Sequence, residues 1–189
     1  MALKRLLDER QIDDGVQSLA AEVTKRYAGC PLTVVGVLTG SVILLADLIR
    51  RVDLSMRVGV VQARSYRGAT TRPGKLVVDD SMLPDIRGRD VLLVDDIFDT
   101  GRTLDGLVRT IEQFGPKSLG SAVLLRKQGR QEVAYAPDYV VFEIPDAFVV
   151  GYGLDYQDAY RNLPYLAVLE SAEQVGASSC ASVRQLMPR

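Results

Sequence analysis

Histidine and tryptophan are absent from these 189 residues, and cysteine occurs only twice. Without imidazole there is no histidine general base and no histidine-ligated metal, so proton transfer falls to carboxylates and lysine. Cys30 and Cys180 are too few for a disulfide framework. An excess of charge of one sign is also missing: 23 Lys and Arg face 24 Asp and Glu, a formal net charge of −1. That balance signals no nucleic-acid or anionic-membrane surface. No apolar run reaches the length of a membrane span and no secretory signal opens the sequence. The expectation is therefore a cytoplasmic protein with neither nucleic acid nor membrane as partner. Neither a Walker loop nor a dinucleotide glycine fingerprint occurs, which disfavours nucleoside triphosphates and dinucleotides.

What is present is a 47% hydrophobic chain, enough for one substantial core at this length. Ile12, Val16, Leu19, Ala20, Val23 and Tyr27 recur at helical spacing and predict a first amphipathic helix after Asp13-Asp14, ending near Gly29. Strands are expected at 33–38, 57–63, 75–78, 90–94 and 121–125, and further helices at 41–52 and 103–114. Such alternation predicts an α/β fold, an open and mostly parallel sheet flanked by helices. Residues 1–170 are expected to form one domain, and the Ala- and Ser-rich 171–189 a peripheral tail.

The richest segment is 91–103, where the apolar strand Val91-Leu92-Leu93-Val94 runs into Asp95-Asp96, then Asp99-Thr100-Gly101-Arg102-Thr103. In an open parallel sheet, ligands collect beyond the carboxyl ends of strands, where a starting helix offers unpaired N–H groups. Residues 100–103 read as an anion cup: Gly101 permits close backbone approach or positive φ, and the Thr100 and Thr103 hydroxyls supply donors and a helix cap. Asp95 and Asp96 are badly placed for phosphate. They suit sugar hydroxyls, or holding a divalent cation through water. Asp99 lies where a carboxylate can take a proton or stabilise positive charge. An isolated Asp-x-x-Asp-Thr-Gly is as readily a capped turn, but the continuous order of strand, three acids and small-residue turn points to a sugar phosphate. Leu38-Thr39-Gly40-Ser41 repeats the strand–glycine–helix geometry and suits a second anion. The polar, basic loop beginning Arg64-Ser65-Tyr66 is long for a compact domain.

Residues 91–103 resemble the phosphoribosyl pyrophosphate signature of the type I phosphoribosyltransferases. The runs from Phe142-Glu143-Ile144-Pro145-Asp146 through Phe148, Val149 and Asp155 to Arg161 are similar to the purine-binding half of the hypoxanthine-guanine members. This resemblance implies a small hood, built from N-terminal and C-terminal segments, over the site. It implies transfer of a 5-phosphoribosyl group from phosphoribosyl pyrophosphate to hypoxanthine or guanine, with magnesium as cofactor and a homodimer or homotetramer as the assembly. Leu38, Thr39 and Gly40 would receive pyrophosphate, often across a cis peptide at 38–39. Thr39 stands where some members carry lysine, leaving the work to backbone donors. Ser65 and Tyr66 would belong to a lid that excludes water. Asp95, Asp96, Asp99, Thr100, Gly101, Arg102, Thr103 and Arg161 would complete the phosphoribosyl pyrophosphate site, with Asp99 also the catalytic base. Lys127 would donate to the purine 6-oxo oxygen, Phe148 would lie against the ring, and Val149 would offer backbone groups. Asp155 would accept from a guanine 2-amino group through its backbone and hold magnesium through its carboxylate. The choice among hypoxanthine, guanine and xanthine stays open. A phosphoribosyl pyrophosphate-sensing nucleic-acid regulator is the reading from another class, but it calls for a basic face or an added binding segment, and neither is visible.

Overall fold

The computed structural model describes residues 2–65, 76–170 and 184–185, the last pair and residues 64, 65 and 76 by their backbone. Thirteen elements follow in chain order: β1 Ala2–Leu7, α1 Glu9–Arg26, β2 Leu32–Leu38, α2 Val42–Ile49, β3 Arg57–Ser65, β4 Leu76–Asp79, β5 Asp90–Phe98, α3 Arg102–Glu112, β6 Ser118–Lys127, β7 Tyr139–Ile144, β8 Val149–Val150, β9 Leu166–Glu170 and β10 Arg184–Gln185. Among the described residues, no helix is long and apolar enough to cross a membrane.

Seven strands form the main sheet in the order β10-β7-β6-β5-β2-β3-β4. The five inner strands are parallel, while β4 and β10 close the two edges antiparallel. The period-2 geometry of strands sorts the core. Val34, Leu92 and Val94 point to the face covered by α1 and α2. Val35, Val37, Val91 and Leu93 point to the opposite face, where Leu104, Leu107, Val108 and Ile111 of α3 pack. Burying such aliphatic side chains contributes roughly 1.5–3 kcal/mol each. A second, three-stranded sheet, β1-β9-β8, brings the first strand beside 166–170, with Ala2 opposite Glu170.

This order places the site. From β2 the chain crosses to β3 on one side, and from β5 it crosses to β6 on the other, so the connections diverge between β2 and β5. Such a switch point leaves a crevice beyond the strand ends. Pairing of β5 with β2 stops at Val94, while pairing with β6 continues to Phe98. The expected acidic loop is therefore strand: Asp95 and Asp96 ride the last turns of the pleat, held from the β6 side and open toward β2. The sequence reading ended the strand at its first charge. The apolar run of β6, longer than expected, carries the ladder past that point and makes Lys127 its last residue.

Other boundaries move for local reasons. The first helix begins five residues before Asp14, because Asp8 caps it: its Oδ1 accepts from Gln11 N at 2.8 Å and Gln11 Oε1 accepts from Asp8 N at 2.9 Å. The second helix is shorter than expected, and Ser41 before it bonds back to β2, donating to Val37 O at 2.6 Å.

Candidate active site

The C-terminal ends of β2 and β5 wall a cleft of about 350 Å³, lined by Leu38, Thr39 and Gly40 on one side and by Asp95, Asp96, Asp99, Thr100, Gly101 and Thr103 on the other. Asp155 and Arg161 reach it from the segment between β8 and β9. Residues far apart in sequence and assigned to one anionic sugar site thus share one cavity. A larger depression of about 1030 Å³ lies beside α1 and α2, but its walls carry mutually paired charges such as Arg51 with Asp13 and Asp47. It shares only Arg161 with the cleft, and the chemistry favours the smaller one.

The β2–α2 loop is fitted to β5 atom by atom. The Leu38–Thr39 peptide is cis, as the resemblance implies. A Cβ on Gly40 would come 1.6 Å from Asp96 Oδ2, so the Asp96 carboxylate occupies the place of that side chain. On its other flank the Gly40 carbonyl lies against the α-carbon of Gly153, whose φ is +99°. Three segments meet there without side chains between them.

Asp95 is buried and Asp96 half-buried; Asp96 N donates to Asp95 Oδ1 at 3.0 Å and Ile97 N to Asp96 Oδ1 at 2.8 Å. Burial pushes the Asp95 carboxyl well above the usual carboxylate range, and the adjacent Asp96 charge adds to it. Burial also raises Asp96, against the pull of hydrogen bonds to its carboxylate and the Arg161 charge. Two crowded acids of this kind are primed for cationic or hydroxyl partners.

Gly101 precedes α3 with φ +84°, and no side chain caps the helix. This corrects the expectation that threonine hydroxyls cap it: the left-handed glycine makes the turn, and Thr100 Oγ1 accepts from Arg102 N only at 3.5 Å. Beyond that long contact no side chain caps the first turn, and Gly101, Thr103 and Leu104 line the cleft there, which suits an anion. Arg102, expected in the anion cup, turns its side chain away to Glu132 at 2.6 Å and is not among the residues that line the cleft.

Asp99 stands at the end of this turn in a four-membered ion cluster. Lys127 Nζ donates to its Oδ2 at 3.1 Å and Arg130 Nε to its Oδ1 at 3.0 Å. The same cations reach Asp146 at 3.5 and 3.6 Å. Burial works against the Asp99 charge, but the hydrogen bonds from Arg130 and Lys127 outweigh it and hold the carboxyl below the usual range. Sequence reasoning missed Arg130 and Asp146. Asp146 sits in the quoted purine-half run, two residues before Phe148, and Arg130 three residues after Lys127; neither spacing reveals that they meet.

Phe148 is half exposed and meets Tyr156 edge-on, ring centroids 5.6 Å apart at 88°. Leu169 N donates to Phe148 O at 2.9 Å, so Phe148 and Leu169 form a bonded pair and the next pair, Val149 with Val168, is a non-bonded one. The Val149 N–H and C=O therefore point away from β9, and β8 is the edge of its sheet. Asp155 is engaged by Arg161 at 2.7 Å and by Asp158 N at 2.9 Å, and Arg161 also donates to Gly153 O at 2.8 Å. Among the described residues no three acidic or cysteine side chains gather as a metal cage. Ser65 is described only as the backbone end of β3, and Tyr66 lies outside the described residues.

Residues 2–157 match the model of the phosphoribosyl transferase domain. The chain is 39% identical over 165 residues to a hypoxanthine-guanine phosphoribosyltransferase of Staphylococcus aureus, covering 87% of this chain and 92% of that one. It is 40% identical over 167 residues to one from Streptococcus pneumoniae, covering 88% and 93%. A crystal structure of a hypoxanthine-guanine phosphoribosyltransferase from Bacillus anthracis superposes with a TM-score of 0.84 at 36% identity, over 89% of this chain and all of that one.

Proposed function

The chain belongs to the phosphoribosyl transferase domain family, and from that premise we propose that it transfers the 5-phosphoribosyl group of phosphoribosyl pyrophosphate to hypoxanthine or guanine in purine salvage. The products are the nucleoside monophosphate and pyrophosphate. The observation that carries this reading is the 3.1 Å contact between Lys127 Nζ and Asp99 Oδ2 at the end of the phosphate-binding turn. This contact supports the reading because it sets a cation suited to a 6-oxo oxygen against a carboxylate suited to accepting a proton.

In the proposed mechanism the amides of residues 100–103 hold the 5-phosphate, and Asp95 and Asp96 accept hydrogen bonds from the ribose hydroxyls. The Leu38-Thr39-Gly40 loop and Arg161 take the pyrophosphate, a bidentate role that suits a planar guanidinium. Lys127 donates to the 6-oxo oxygen. Phe148, exposed on one side and braced by Tyr156, lies against the purine, and the outward Val149 groups meet its edge. The Asp155 backbone accepts from the 2-amino group of guanine. The purine N9–C1 bond forms as the C1–oxygen bond to pyrophosphate breaks, with the electron pair leaving on pyrophosphate and the N7 proton passing to Asp99. Preorganised charge around the oxocarbenium-like sugar supplies most of the acceleration.

A magnesium ion fits the donor set, because this cation binds through one or two carboxylates plus substrate phosphates and needs no all-protein cage. The Asp155 carboxylate would hold it in exchange for Arg161, and the bound ion would neutralise charge on the leaving group. We also propose a cytoplasmic homodimer or homotetramer, with 1–170 as one domain and 171–189 as a peripheral tail that touches the sheet edge through the two-residue pairing of β10 with β7. Light scattering that finds a monomer would refute the assembly.

The reaction is tested by incubating the chain with labelled phosphoribosyl pyrophosphate and hypoxanthine, guanine, xanthine or adenine, with and without magnesium. Magnesium-dependent nucleotide from the first two bases is expected. No nucleotide from any base would overturn the reading, and product chiefly from xanthine would correct the acceptor.

A further inference from the structure

We propose that Arg130 is a positioning residue for Asp99: it keeps hold of Oδ1 while Lys127 moves from Oδ2 to the purine 6-oxo oxygen, freeing Oδ2 to accept the N7 proton. The proposal rests on the reaction argued above and adds to it a residue and an order of events. The geometry carries it. The two cations hold different oxygens of one carboxylate, Lys127 on Oδ2 at 3.1 Å and Arg130 on Oδ1 at 3.0 Å. They come from different places: Lys127 ends β6 with its side chain only 12% exposed, and Arg130 lies in the connection beyond it at 43%. Asp146, from the segment after β7, faces both at 3.5 and 3.6 Å. Two carboxylates and two cations make the cluster neutral as it stands.

A carboxylate already bonded at both oxygens accepts a proton poorly. Lys127 has a second destination in the 6-oxo oxygen, and taking it uncovers one Asp99 oxygen at the moment the purine arrives. A free carboxylate would then rotate, and among the described residues Arg130 is the remaining cation within ion-pair distance of it. The connection that carries Arg130 is itself tied to the phosphate turn, since Glu132 N donates to Thr100 O at 2.9 Å. Arg130 thus holds the base in the same frame as the sugar. Losing one cation also relieves the hydrogen bonding that keeps the Asp99 carboxyl low, so the base gains basicity on substrate binding. A 6-aminopurine presents a donor, leaves Lys127 on Oδ2, and is discriminated in turnover as well as in binding.

The test uses the full chain with Arg130→Ala and Arg130→Lys, measuring kcat and KM for hypoxanthine, the pH profile of kcat, and phosphoribosyl pyrophosphate binding by calorimetry. With Arg130→Ala, kcat is expected to fall roughly ten- to a hundredfold, the scale of an ångström-sized misplacement of a reacting group. The acid limb of kcat, which reports the enzyme–substrate complex, should move to higher pH as Asp99 loses a cation. Phosphoribosyl pyrophosphate affinity should stay the same, and Arg130→Lys should restore most of both kcat and the limb. An unchanged kcat, or a fall in kcat with an unmoved acid limb, overturns the role while wild-type nucleotide formation upholds the reaction. Absence of product from the wild type overturns the reaction and this role with it.

Discussion

Replacing Gly40 by alanine should cost this enzyme comparably in rate and in stability. The added Cβ would stand 1.6 Å from Asp96 Oδ2, against 3.4 Å for ordinary contact, so loop and carboxylate must part by about 1.8 Å. Retreat of the loop is blocked by Gly153, against which the Gly40 carbonyl is already packed. Overpacking of this kind costs roughly 1–3 kcal/mol in stability. Misplacing a catalytic frame by about an ångström can cost roughly a hundredfold in rate, so kcat/KM for phosphoribosyl pyrophosphate should drop at least that far. Steady-state kinetics and urea unfolding read the two effects separately. Gly88→Ala serves as control: its φ is +70° and nothing lies within 4 Å of the new Cβ, so it pays only backbone strain and should keep wild-type kinetics. In an Asp96→Gly background the added methyl meets no carboxylate, and the Gly40→Ala stability loss should largely vanish. Wild-type kinetics in Gly40→Ala, or the same stability loss with and without the Asp96 side chain, would refute the reasoning.

Asp99→Asn should greatly reduce turnover while leaving phosphoribosyl pyrophosphate affinity, measured by calorimetry, largely intact; unchanged turnover would remove Asp99 as the base. Lys127→Ala should lower kcat/KM for hypoxanthine by roughly ten- to a hundredfold, as for a buried polar partner worth about 1–3 kcal/mol, while adenine, no longer leaving Lys127 on Asp99, should not fall and should gain relative to hypoxanthine. Equal losses for the two bases would count against base reading by this lysine. Asp95 keeps its proton to higher pH when folded than when unfolded, so stability should fall as pH rises from the ordinary carboxylate range up to the raised value. Asp95→Asn should therefore unfold at a higher temperature than wild type at pH 8, with the gap closing near pH 4; parallel curves would show that Asp95 carries no such strain.

Much of this molecule can be read along the chain, and what cannot shares one physical cause. The stripe Ile12, Val16, Leu19, Ala20, Val23 is a local signal, and all five side chains are buried in α1. Its start is set instead by the Asp8 and Gln11 cap, which apolar spacing does not reveal. The strand β1 has no local signal: Leu3, Lys4 and Arg5 do not alternate, and the partner is residues 166–170. In the site, the acids of β5 and the two glycine turns were legible because a strand end followed by small residues is itself a local pattern. Arg130 and Asp146 were not, since each looks like a solvated charge until the fold brings them to Asp99. Gly40 read as a turn residue; that it is vacated for Asp96 is a tertiary fact.

The pairing of Ala2 with Glu170 and of β9 with β8 also sets a time at which this enzyme can begin to work. During synthesis the phosphate turn and the strands behind it leave the ribosome well before 166–170, which must emerge before β9 can pair with β1 and β8. A nascent chain halted before that point holds the phosphate turn without the neighbour that anchors Phe148. Emergence of 166–170, rather than folding of the central sheet, is then the step that ties the Phe148 backbone in place.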